Sequence, residues 1–174
     1  MSTIITNPVN KNLKFVDNLS DYDVHHEDTD IRDYNVVDAS GAIIGEVEGL
    51  LADVSARLVR YAEIEIEDDV IERHRGDGYD AEDRNLLIPI GLVQINDNKT
   101  VTVRGINMDR FLGYPRFNRK LGYTTAYEID TNDYLSDFHE YRASYKKNRY
   151  SNDKYRSMDT LEDNFYNTDF YTRR

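Results

Sequence analysis

The strongest constraint on folding lies between Tyr34 and Ile95, where short runs of β-forming residues follow one another with turn residues between them. Asp38-Ala39-Ser40-Gly41 offers a turn with glycine where a positive φ fits, so Tyr34 to Val37 and Ala42 to Val47 are expected to form a hairpin. Gly45 and Gly49 fall inside the second strand, where missing side chains suit a bulge or a sharp bend of the sheet. Ala62 to Glu67 alternates strictly, sending Ala62, Ile64 and Ile66 to a buried face. Glu63, Glu65 and Glu67 then form a solvent row, which also discourages edge-to-edge aggregation. Asp68 to Asp83 is too rich in glycine and charge for a central strand and reads as a long hairpin excursion. Asn85 to Ile90, Val93 to Ile95 and Thr100 to Val103 supply the second half of the sheet, with a turn at Asn96-Asp97-Asn98. Met108, Phe111 and Leu112 have helical spacing after Asn107, and Gly113-Tyr114-Pro115 stops them. Such curvature is what a small barrel needs.

The formal net charge is -11. Residues 1 to 118 carry 12 Lys and Arg against 23 Asp and Glu, whereas 119 to 174 carry 10 of each sign. So acidic a surface repels phosphate, which disfavours nucleic acid and anionic membranes as partners. The absence of cysteine removes disulfides, thiolate nucleophiles and thiolate metal sites together. No apolar run approaches the ~18 to 20 residues of a membrane span, and Met1 to Pro8 lacks a signal-peptide pattern, so a cytoplasmic chain is expected.

Flanking segments differ from the centre. Residues 1–29 read as a polar, acidic lead-in. Residues 119–174 hold nine of the 14 tyrosines and no valine. Within them Tyr134, Phe138, Tyr141 and Tyr145 form one stripe of a helix expected over about 132–148, capped by Asn132 or Asp133. The rest of the tail has no usable period and is expected to be disordered alone.

Residues 30–118 resemble the PRC-barrel family. The resemblance rests on Asp38-Ala39-Ser40-Gly41, Gly45-Glu46-Val47 leading to Leu50-Leu51-Ala52-Asp53, Val59 to Ile64, and Leu87-Ile88-Pro89-Ile90. The closing pieces, Val101-Thr102-Val103 and Phe111 to Pro115, look more like the branch of the photosynthetic reaction centre H subunit than that of the ribosome maturation factor RimM. The resemblance implies a mainly β fold, a barrel of about six strands, here with a C-terminal helical extension. It also implies a domain that holds partners and shares no catalytic residues. The lead-in shows neither a membrane helix like that of the H subunit nor room for the first barrel of RimM, so a stand-alone PRC-barrel protein is expected.

Candidate chemistry is sparse. His25, His26 and Asp28 are the best apparent metal ligands, but adjacent histidines in a strand point oppositely, and a solvated acidic segment is the plainer reading. The acids between Asp68 and Asp83 do not match a calcium loop. Ser40 and Ser55 have no histidine nearby in sequence, and no phosphate-cradling glycine loop occurs. No enzyme and no cofactor is expected. The leading expectation is an adaptor that binds a protein partner, or itself as a homodimer, through Leu112, Tyr114 and Phe117 at the barrel end and through the Tyr134, Phe138, Tyr141, Tyr145 stripe. A metal- or ligand-binding stress protein and a RimM-like RNA-associated factor are the alternatives.

Overall fold

The computed structural model describes residues 8–19, 29–73, 84–117, 122–137, 160–161, 163–168 and 170–171. Seven strands form one sheet: β1 (Leu13–Phe15), β2 (Asn35–Val37), β3 (Ile43–Asp53), β4 (Leu58–Ile66), β5 (Asn85–Pro89), β6 (Val93–Asn96) and β7 (Thr100–Val103). Six of them run in the order β5-β4-β3-β2-β7-β6, and β1 pairs with β3 off that path. All pairings are antiparallel except β2 with β7. The sheet curls into a half-barrel that buries Val36, Val47, Leu51, Ile64, Leu86, Ile88 and Val101.

The expected first hairpin is present. Gly41 has φ +86, and the Asp38 carboxylate accepts from Ser40 N, Ser40 Oγ and Ala42 N, which fixes the turn. The long strand β3 holds the architecture together, because its start pairs with β2 and its end with β1 while β4 lines its other edge. That path requires bending, and the register shifts between Val47 and Gly49 and again between Leu51 and Ala52. Gly45 is the tightest point: a Cβ there would lie 2.4 Å from the Glu65 carbonyl oxygen. Backbone in a central strand has little room to yield. Gly45→Ala is therefore expected to cost ~1–3 kcal/mol or more, read as a lower urea midpoint at unchanged slope.

The excursion between β4 and β5 opens as a short helix, α1 (Asp68–Arg73), because Val70 and Ile71 find buried positions. Helix α2 (Met108–Gly113) starts as expected, with the Asn107 side chain accepting from Arg110 N at 3.0 Å.

Two expectations are corrected. The glutamate row is not a uniform solvent face: Glu63 is fully buried and accepts from Asn85 Nδ2 at 2.6 Å, Glu65 pairs with Arg84 at 2.9 Å, and only Glu67 is exposed. The cause is a cover over the centre of β4 and β5, where Phe117 N–H bonds Asn85 O at 2.7 Å and the Tyr127 hydroxyl accepts from Leu87 N at 3.1 Å.

The tail helix also differs from its expected bounds. Helix α3 spans Thr125–Ser136 and is capped by Thr124, whose hydroxyl accepts from Tyr127 N at 3.1 Å. Asn132 and Asp133 are thus interior positions, and Asn132 is buried. The aromatic stripe misplaced the start because α3 buries polar residues on its packed sides: Thr125, Glu128, Thr131, Asn132 and Ser136 all lie in the interior. Phe138, Tyr141 and Tyr145 lie outside the described residues. Beyond them the tail, expected to be disordered alone, delivers Leu161, Phe165, Tyr166, Phe170 and Tyr171 to the core. Gly91 N bonds Phe170 O at 2.6 Å and ties this strap to the turn between β5 and β6.

Candidate functional site

Where β4, α3, the N-terminal segment and the C-terminal strap meet, they enclose Glu128, a carboxylate with no solvent exposure. Tyr61 from β4 donates to its Oε1 at 2.9 Å, and Tyr166 from the strap donates to the same oxygen at 2.5 Å. Asn10 donates to Oε2 at 2.8 Å. Because the Tyr61 proton is committed to Glu128, Tyr171 donates its own to Tyr61 across 2.7 Å, and Asn132 donates to Tyr171 at 2.9 Å. Every donor in the chain thus points toward the carboxylate. This is the arrangement of a buried anion satisfied by hydrogen bonds. Close by, Asp53 holds the β3–β4 turn through Ser55 and Ala56, and Arg60 lies 3.6 Å from Asp53 and 4.4 Å over the Tyr166 ring.

Burial pushes the Glu128 carboxyl up to about 7, and the donors from Tyr166, Asn10 and Tyr61 oppose that shift. The sign for stability follows from linkage. The folded chain binds this proton more tightly than the unfolded chain, so the proton-linked part of the stability is complete below the ordinary carboxyl value of 4.5 and is lost as pH rises to about 7, while the hydrogen bonds that join the segments remain. Unfolding free energy should fall by ~3 kcal/mol across that window. Urea titrations at several pH values check it, with Glu128→Gln losing that component of the slope.

For all its polarity the cluster is sealed, so its groups serve the interior. The open surface lies elsewhere. A groove of ≈ 800 Å³ runs between the β2–β3 turn, β7 and α2, lined by apolar Val37, Ile106, Met108 and Phe111 and by polar Ser40 and Arg110 among others. Next to β7 stands β6, which among the described strands is paired on one side only.

The two ends of the sheet are finished differently. On β5, Asn85 O accepts from Phe117 N, Leu87 N donates to the Tyr127 hydroxyl, Leu87 O accepts from the Tyr114 hydroxyl at 2.9 Å, and Pro89 has no N–H to offer. No described strand pairs with the outer edge of β6, whose sequence Val-Gln-Ile-Asn carries no charge, although the Val93 N–H at its start donates to Ile90 O. Ile95 is 39% exposed there although it pairs with fully buried Val101 and shares its core face.

The described residues expected to meet a partner are largely covered within the chain itself. Tyr114 and Phe117 are buried and close the β5 edge, while half-buried Leu112 lies in the last turn of α2. The Tyr134 hydroxyl donates to Arg110 O at 2.7 Å, and its ring stands edge-on to Tyr114. His25, His26 and Asp28 lie outside the described residues. Among the described residues no three His, Asp or Glu side chains group to hold a metal ion, and no helix is long and apolar enough to cross a membrane.

A curled half-barrel with this strand order, glycine bend and following helix defines the class. Residues 23–108 match the PRC-barrel domain family, so the chain contains a PRC-barrel domain. No curated protein matches the chain.

Proposed function

We propose that this chain is a non-catalytic PRC-barrel adaptor that binds protein through the rim formed by the β6 edge and the adjoining groove. The observation that carries the reading is the unequal treatment of the two sheet edges. One edge is closed by four separate features, whereas the other presents an uncharged strand with a core-face isoleucine in solvent. An exposed edge of that kind is a template for another strand. The buried position of Glu128 supports the same reading, since its hydrogen bonds are all used in joining segments of the chain.

The test is site-specific photo-crosslinking in the cells that make the protein, with the reactive group placed in turn at Gln94, Met108 and Lys14. Defined protein adducts from Gln94 and Met108, with none from exposed Lys14 on β1, are expected. Equal labelling from all three positions, or none from any, would overturn the proposal.

A further inference from the structure

We propose that Tyr166 and Glu128 form a site of proton-coupled one-electron oxidation, in which an oxidant takes an electron from the Tyr166 ring as its phenolic proton passes to Glu128. The Tyr166 O–H bond breaks and an O–H bond forms on Glu128 Oε1. The products are a neutral tyrosyl radical, a neutral carboxyl group and an oxidant reduced by one electron.

A phenol gives up an electron readily only when its proton leaves too, so the deciding feature is a base within hydrogen-bond reach of the hydroxyl. Tyr166 has one. Its hydroxyl lies 2.5 Å from Glu128 Oε1, closer than the 2.9 Å of Tyr61. Tyr114, Tyr127 and Tyr134 donate to backbone carbonyls, and Tyr171 to the Tyr61 hydroxyl, none of which takes up a proton near neutral pH. The chain also holds no tryptophan and no cysteine to yield an electron first.

The surroundings are already arranged for the product. After transfer Glu128 donates back to the Tyr166 oxygen, which accepts from Asn10 Nδ2 at 3.1 Å, while Tyr61 and Asn10 keep donating to the carboxyl. One hydrogen bond reverses and no heavy atom has to move. Charge points the same way, because the step takes a fully buried group from -1 to 0, and burial disfavours the charged form. The Arg60 guanidinium, 4.4 Å over the Tyr166 ring and 3.6 Å from Asp53, opposes a positive charge on that ring. Electron and proton therefore leave together. An electron, unlike a substrate, needs no open path from solvent, so a sealed site suits this chemistry. With both groups buried, the radical is also kept from coupling to a radical on another chain.

Rapid mixing of the full chain with hexachloroiridate(IV), a one-electron oxidant, tests the proposal above pH 7, where Glu128 is ionised. Electron paramagnetic resonance should show a long-lived tyrosyl radical. Its rate of formation should ignore the concentration of buffer base, since the proton acceptor is internal, whereas in the urea-unfolded chain the rate should rise with buffer. Tyr166→Phe should remove both the lasting radical and the fast phase of oxidant consumption, and Tyr61→Phe should keep them. Glu128→Gln should slow the fast phase ~10-fold or more.

Absence of a lasting radical, a rate that follows buffer base as in the unfolded chain, or a fast phase that survives Tyr166→Phe overturns the proposal. Buffer dependence is read on the unsubstituted chain, so it decides even where a variant does not fold.

Discussion

Glu128→Ala is expected to destabilise the chain by ~3–5 kcal/mol, the range for removing one member of a buried, hydrogen-bonded charged cluster. Three donors on three separate segments converge on this carboxylate: Asn10 before β1, Tyr61 on β4 and Tyr166 on the strap. Alanine leaves Tyr61 and Tyr166 without their acceptor and opens a void among them. Glu128→Gln should cost less, ~1–3 kcal/mol. Its amide oxygen can still accept from the two tyrosines, but its NH2 group then faces the Asn10 NH2. Asn10 cannot readily reverse its amide, because its Oδ1 already accepts from Asn12 N at 3.0 Å. Chemical denaturation of both variants checks the order, and equal stability of Glu128→Ala and the unsubstituted chain would contradict a joining role.

Phe170→Ala should fall in a similar range, ~3–5 kcal/mol, as for other fully buried phenylalanines. Phe170 has no exposure, and its carbonyl accepts from Gly91 N beside the start of β6. Its neighbour Tyr171 stacks edge-on against Tyr61, with centroids 5.3 Å apart, and edge-on against Tyr166, at 5.0 Å. A strap that merely lay on the surface would tolerate the substitution. A single cooperative transition shifted to lower temperature is the expected melt, since the strap belongs to the same core as the barrel.

The barrel was readable because its signals are local. The Asp38 to Gly41 turn, the Gly45 bend and the runs from Leu58 to Ile66 and from Asn85 to Pro89 each announce themselves within a few residues. The central cluster was not readable, because its members are far apart in sequence: Asn10 and Tyr166 lie 156 positions apart and still bond one carboxylate. Helix α3 concealed itself further, since burying Glu128 and Asn132 leaves no amphipathic period to detect. A faint signal did exist in the repeat Phe165-Tyr166 and Phe170-Tyr171, two aromatic pairs five positions apart in a tail otherwise poor in aliphatics. The glutamate row misled for a related reason, since alternation tells two faces apart without telling whether a distant segment covers the second.

The same separation explains why the covering of Tyr114 and Phe117 was not readable. Tyr114 and Phe117 looked like docking aromatics, yet their partners are Leu87 and Asn85 of the neighbouring edge. With that edge closed, the proposed opening is β6, whose four residues pair on one side only among the described strands.

Amide hydrogen exchange tests the unequal finish of the two sheet edges most directly. In the purified chain the Leu87 amide, which donates to the Tyr127 hydroxyl, is expected to be protected, while the Ile95 amide, which faces away from β7, exchanges quickly. Equal protection of the two amides would contradict the account.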